Sequence, residues 1–245
     1  MVRLVVFIFI FLSFDLHAAV GKIPLLTVSG SEGQESVYEA NIYTLLFMSM
    51  LPFLTAAVIM LTPFMRAIII FGFLRQALGT QHSPPNQVLI AISLMISIIV
   101  MKPVLSEVYK DAYKPYTQEI LNEDQAIEVG LKHFKRFWLS VTSEEELIYF
   151  GEIMEVEAVD DYEDLPLEVI LPAFVFSELT VAFKIAFLIF IPFLIIDMVV
   201  ASTLMGMGMM MLSPMIISLP FKIFAFILLD GFGLVTSSVI GSYGV

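Results

Sequence analysis

The residues able to do chemistry in this chain are five charged side chains set in two long apolar runs, with a cluster of thioethers between the runs. Glu178, Lys184 and Asp197 lie in the first run, and Lys222 and Asp230 in the second. An ionised group at the centre of a bilayer costs roughly 2.5 to 3.5 kcal/mol even on a lenient insertion scale, so each of the five requires a partner or a wet cavity. The thioethers fall in the stretch from Met205 to Met215, which holds six of the fifteen methionines. This bend is uncharged and soft: unbranched thioether side chains fill irregular gaps and re-pack, while Gly206 and Gly208 loosen the backbone. Two readings follow, a tight apolar turn that only packs, or a deformable gasket around something that must pass.

If the hairpin turns near residues 209 and 210, Asp197 and Lys222 stand at equal distances from the bend and pair within one chain. Glu178 and Lys184 have no equivalent partner in the second run. Six residues apart, they point to different faces of one helix, so their partners are expected from another subunit or from water. Lys222 thus has two candidate partners, Asp197 in its own chain and a neighbouring subunit's Glu178. Ion pairs that only hold helices together account for these residues as well as transport chemistry does.

Enzymatic chemistry finds no support. The three histidines, His17, His82 and His133, fall in separate segments and form no metal cluster, and there is no cysteine for a disulfide or a thiolate site. No serine, threonine or aspartate sits in a nucleophile or Gly-rich phosphate motif. No catalytic residue, cofactor or metal is therefore assigned.

The elements that position these groups follow from composition. Of 245 residues, 59% are hydrophobic and only 15% are charged, and the mean hydropathy is +0.93, which makes this an integral membrane protein, and its long apolar runs lead to an expected all-α fold of membrane helices. The net charge of −12 is concentrated in residues 102–170, which hold 17 acidic and 6 basic residues. Such an acidic face argues against nucleic acid and against docking on an anionic membrane surface.

Residues 1–19 carry Arg3, an apolar core from Val5 to Phe14 and the ending Ala18-Ala19, the pattern of a secretory signal. The apolar core is too short to cross roughly 30 Å of hydrocarbon, and cleavage is expected after Ala18 or Ala19. Residues 20–40, with Glu32, Glu35 and Glu39, read as a loose exported linker. Residues 41–105 are assigned to a first hydrophobic helical hairpin, 106–170 to an acidic helical extracytoplasmic segment, and 171–245 to a second hydrophobic hairpin with the methionine bend.

Within these, apolar spans are expected over residues 43–61, 88–101, 174–204 and 215–240. Arg66 and Arg75, with no acid nearby, mark their connection as cytoplasmic on the positive-inside rule. The stretch from Leu78 to Gln87 is dense in turn formers and cannot continue a helix through Pro84-Pro85. Helical periodicity is visible over residues 126–138, and Ser143 ahead of Glu144-Glu145-Glu146 reads as a helix start. Residues 158–165 read as a solvated loop whose acids serve solubility, because no regular calcium-loop spacing is present. Alternation from the signal places the acidic segment in the periplasm and the methionine bend on the cytoplasmic side.

Several motifs carry a resemblance. Leu74-Arg75-Gln76-Ala77-Leu78-Gly79-Thr80-Gln81 runs into Pro84-Pro85-Asn86-Gln87-Val88-Leu89, and Ser177-Glu178-Leu179, Ile191-Pro192-Phe193-Leu194-Ile195-Ile196-Asp197, Gly208-Met209-Met210-Met211, Leu219-Pro220-Phe221-Lys222 and Asp230-Gly231 follow. Over residues 43–105 and 171–235 the chain resembles the FliP family of flagellar biosynthetic proteins, which includes the matching export-gate subunit of type III secretion injectisomes. The resemblance implies an all-helical subunit of a homo-oligomer, a pentamer, that assembles with FliQ-like and FliR-like proteins and with FlhA/FlhB-like export components. The assembly is a cone-like gate in the bacterial inner membrane at the flagellar basal body, with its helices largely raised out of the bilayer plane, and unfolded flagellar subunits pass through it. The resemblance also implies that the methionines line the constriction, which carries over to Met209, Met210 and Met211 and extends to Met205 and Met207.

The chain departs from the family pattern at Ser213-Pro214 (usually Pro-Pro), Thr180 (lysine), Lys184 (glutamine) and Phe232 (tryptophan), and in its strongly acidic residues 144–164. The signal favours the flagellar branch over the injectisome branch, whose members generally begin close to their first span. The alternative from another class is an ion channel or secondary transporter with Asp197 and Lys222 as a relay, against which stands the lack of an internal inverted repeat.

Overall fold

The computed structural model describes residues 22–29, 35–80, 83–156, 161–209 and 212–244. The expected signal, residues 1–19, lies outside the described residues, as do Met210 and Met211.

The chain divides into two units, Met1–Ala57 and Val58–Val245. In the first, β1 (Lys22–Ser29) pairs antiparallel with β2 (Glu35–Asn41), from Lys22 opposite Asn41 to Ser29 opposite Glu35. The stretch expected as a loose linker is thus a paired hairpin. Its β-branched and aromatic residues, Thr27-Val28 and Val37-Tyr38, favour extended backbone. The register slips between Pro24 and Leu26, beside the one residue in β1 that has no N–H to donate. Helix α1 (Ile42–Met60) follows, with Pro52 inside it and with Met48, Met50 and Phe53 among its exposed side chains.

The second unit is helical. It comprises α2 (Phe64–Ala77) and α3 (Asn86–Val108), the latter continued by a π-helical turn (Tyr109–Tyr113) and by α4 (Lys114–Thr117). The acidic segment supplies α5 (Glu123–Val141), α6 (Glu144–Ile153) and a 3-10 turn (Tyr162–Asp164). Helices α7 (Leu167–Gly206), α8 (Pro214–Leu228) and α9 (Gly231–Gly241) complete it. The run Asn86–Thr117 and α7 are each long and apolar enough to cross a membrane, and up to four spans result if the broken pairs α1 with α2 and α8 with α9 each count as one. The short span expected over residues 88–101 lies within that run of 32 residues.

Helix α7 is the axis. Its 40 residues reach about 60 Å at 1.5 Å per residue, and the two cores lie along it. Val169, Ile170, Ala173 and Phe174 pack with Trp138 of α5 and Leu147 of α6, burying one face of the acidic segment. Further along, Ala182 and Phe193 join Ile70, Phe71 and Leu74 of α2, Ile96 and Val100 of α3, and Val239 of α9. Helix α5 covers the periodic stretch 126–138 and opens on a capping box in which Asn122 and Gln125 each accept from the other's backbone N–H. Ser143 stands as N-cap of α6 without a side-chain capping bond. Its own N–H donates to Ser177 Oγ of α7 at 3.1 Å.

The two-arginine connection differs from expectation. Residues 64–77 form α2, packed against α7 and α3, and Arg66 is one of the largest fully buried side chains. The turn of the first hairpin lies beyond it. Gly79, at φ +77°, ends α2 in a left-handed conformation open to glycine. Thr80 N–H donates to Arg75 O at 3.3 Å and Gly79 N–H to Gln76 O at 2.9 Å, a Schellman closure. Arg75 Nη1 then donates to Asn86 Oδ1 at 2.6 Å, fastening the start of α3.

Candidate functional site

Three features are candidates for function: two buried charge clusters at opposite ends of α2, and the methionine bend.

At the N-terminal end of α2, Arg66 is 2% exposed and Glu178 of α7 is fully buried. Arg66 Nε donates to Glu178 Oε2 at 3.0 Å, and Nη2 donates to Oε1, a bidentate pair that fixes both planes. The remaining guanidinium nitrogen donates to Ser242 Oγ at 2.8 Å and to Ser242 O at 3.3 Å. The Tyr243 ring lies under the cation, 3.9 Å from Cζ to centroid, and its hydroxyl donates to Glu178 Oε2 at 2.5 Å. Both charges are thus surrounded by partners, which is what allows an ion pair to exist without water. The neighbouring Ser177 and Trp138 tie this end to the acidic segment: Ser177 Oγ donates to Val141 O at 3.3 Å, and Trp138 Nε1 donates to Leu61 O at 3.1 Å.

At the C-terminal end, Lys222 of α8 donates to Asp197 Oδ2 of α7 at 2.5 Å and to Ala77 O at 3.0 Å. Ala77 O is one of the last carbonyls of α2. The ammonium therefore occupies the negative end of that helix and supplies a donor the chain itself lacks there. Ser218 Oγ donates to the other carboxylate oxygen, Asp197 Oδ1, at 2.5 Å. The Cα of Gly79 is close by: a β-carbon at that position would lie 4.0 Å from Lys222 Nζ.

Glu178 thus has a partner in its own chain, where the sequence pointed to another subunit or water. The guanidinium that reaches it comes from 112 positions away, and no local spacing encodes that meeting. Lys222 lies against Asp197 and away from Glu178. Lys184 and Asp230 are exposed, and neither has an ion pair among the described residues. Asp230 turns the elbow between α8 and α9, a 62° bend, at φ +48°. Arg66 was read from the sequence as a topology marker and not as a partner of Glu178, and Tyr243 and Ser218 were not singled out. The signal that could have found Arg66 is an arginine with no acid near it in an apolar stretch.

Of the methionines, Met205, Met207 and Met209 are exposed. Beneath them an apolar cavity of about 480 Å³ opens between α7 and α8, lined by Ile196, Val199, Thr203, Met207, Ile217 and Phe221 among others.

Comparison with known proteins adds to this geometry. The model of the FliP family matches residues 46–239, most of the chain and all of α2 to α8. The chain belongs to the FliP family. Relatives named flagellar biosynthetic protein FliP include one from Pectobacterium carotovorum subsp. carotovorum, 47% identical over 203 residues (83% of this chain and 79% of that protein). One from Bacillus subtilis (strain 168) is 40% identical over 218 residues, 89% of this chain and 98% of that protein. One from Buchnera aphidicola subsp. Acyrthosiphon pisum (strain APS) is 41% identical over 235 residues, 96% of this chain, and the chain spans 62% of that protein's length. The FliP match takes in Arg66, Glu178, Asp197, Ser218, Lys222 and the methionine bend, while Ser242 and Tyr243 lie beyond it.

Proposed function

We propose that this chain is a core, non-enzymatic subunit of the flagellar type III protein export gate, and that its methionine bend forms the constriction through which unfolded flagellar subunits pass. The observation that carries this reading is the FliP family match over residues 46–239, which includes a bend where Met205, Met207 and Met209 are exposed and uncharged. Side chains that must close on one another and then part benefit from low rotamer barriers and from having no hydrogen bonds to break. Several copies, five in this reading, would bring their bends together with FliQ- and FliR-like subunits, and FlhA/FlhB-like components would stand behind them. In this reading the gate sits in the inner membrane of the basal body, with the acidic segment on the periplasmic side. Asp197 and Lys222, with Glu178, serve to fix the helices that carry the bend.

Met209, Met210 and Met211 are consecutive in the sequence and fall between the last residue of α7 and the first of α8. Replacing all three with alanine is expected to leave the complex assembled but leaky to small ions. Membrane conductance of cells expressing the variant, read beside co-purification of its partners, is the test. An assembled triple-alanine complex as tight as the parent would show that these methionines only pack.

A further inference from the structure

Glu107 closes α3, and Asp111 sits four residues on, in the π-helical turn. Against both lies His133 of α5: Nδ1 is 3.1 Å from Glu107 Oε2, and Nε2 is 3.2 Å from Asp111 Oδ2. The ring is 13% exposed, while the two carboxylates are 54% and 57% exposed, so the imidazole is shielded and its partners are wet. One turn earlier Gly130 is buried, and a β-carbon there would stand in ordinary van der Waals contact, 3.8 Å from both Ala112 Cβ and Val108 Cγ1, so α5 packs directly on the end of α3 and the π-helical turn. Such turns widen a helix locally and re-aim its side chains.

We propose that His133, Glu107 and Asp111 form a proton-dependent latch that holds α5 on the end of α3. A carboxylate offers only lone pairs, and a neutral imidazole carries one N–H and one lone pair. The neutral ring therefore satisfies one of the two contacts and sets lone pair against lone pair at the other. Only the imidazolium donates to both, and it also neutralises one of the two negative charges. The latch is closed when the ring is protonated and loosens when it gives up that proton.

The other ionisable groups on the segments packed here are Lys102 on α3, Tyr109, Lys110 and Tyr113 on the π-helical turn, and Lys114 and Tyr116 on α4. On α5 itself are Glu123, Asp124, Glu128, Lys132, Lys135 and Arg136, and the 3-10 turn packed on α5 carries Tyr162, Glu163 and Asp164, with Arg136 3.9 Å from Glu163. Because α5 also carries Trp138, whose indole bonds to Leu61 O, the latch bears on how the acidic segment is held to the rest of its unit.

The test is hydrogen exchange of the full chain in detergent micelles at about pH 5.5 and about pH 8, corrected for intrinsic rates. Peptides covering residues 105–117 and 123–141 report the latch, and peptides from α2 report the integrity of the fold. Protection of the latch peptides is expected to be roughly fivefold stronger at the lower pH in the parent chain. It is expected to become independent of pH in His133→Gln, and also in Glu107→Gln/Asp111→Asn, which alters only exposed side chains. Equal protection at both pH values in the parent, or full pH dependence retained in the double variant, would overturn the latch.

Discussion

Asp197 and Lys222 share one ion pair unequally: the lysine side chain is 3% exposed and the aspartate 34%. Removing the aspartate leaves a buried ammonium with the Ala77 carbonyl as its recorded partner. Removing the lysine leaves a carboxylate that still reaches water and still accepts from Ser218. Stranding a buried charge costs roughly 3 to 5 kcal/mol, whereas losing one hydrogen-bonded partner of a hydrated group costs roughly 1 to 3 kcal/mol. Asp197→Ala is therefore expected to lower the melting midpoint of the solubilised chain more than Lys222→Met. The exchange Asp197→Lys with Lys222→Glu is expected to recover much of the loss, and Glu178→Lys with Lys222→Glu none of it. A larger loss for Lys222→Met would mean that the cap on α2, and not the charge, governs this site.

The elbow between α8 and α9 shows how one missing β-carbon shapes an element. A β-carbon at Gly231 would sit 2.1 Å from two atoms of the Phe226 ring, far inside contact distance, and Phe226 is itself buried against Phe193 and Phe232. Overpacking of this kind costs typically about 1 to 3 kcal/mol. Gly231→Ala is expected to lower the melting midpoint, and Phe226→Leu in the same chain to restore part of it. Failure of the second change to help would place the strain in the backbone of Asp230 and not in the ring.

The elbow was not legible in the sequence. In residues 215–240 Lys222 and Asp230 are the only charged residues, and hydropathy cannot distinguish one straight span from two helices at 62°. The long axis of α7 was legible over residues 174–204, because an apolar run of that length, even with Glu178, Lys184 and Asp197 in it, admits little besides a helix, and so was the placement of Asp197 opposite Lys222, from their equal distances to the bend. The Arg66 to Glu178 contact was not, since it depends on which face α2 turns to α7. The pairing of β1 with β2 was missed because glutamates and glycine masked two short β-prone runs.

Across the whole second unit, apolar side chains remain exposed on several helices. Met95 and Ile98 on α3, Phe187, Leu188 and Met198 on α7, and Phe224 and Ile227 on α8 are each at least half exposed. A bilayer or neighbouring subunits must cover them, because contiguous apolar surface of this extent is not stable in water. Native mass measurement of the complex extracted in mild detergent is expected to show several copies of this chain together with other membrane subunits. A monodisperse single copy with nothing else bound would leave lipid as the only cover and would remove the assembled gate from consideration.

Arg66 also has a history in time. It leaves the ribosome 112 residues ahead of Glu178, and its remaining partners, Ser242 and Tyr243, come later still. At roughly 5 to 20 residues per second, the first wait alone lasts on the order of ten seconds. During that interval none of these partners exists, and the guanidinium must stay in water or among headgroups. Only when α7 arrives does the same residue become part of the interior. The same side chain is thus solvated early in synthesis and part of a buried ion pair in the folded chain.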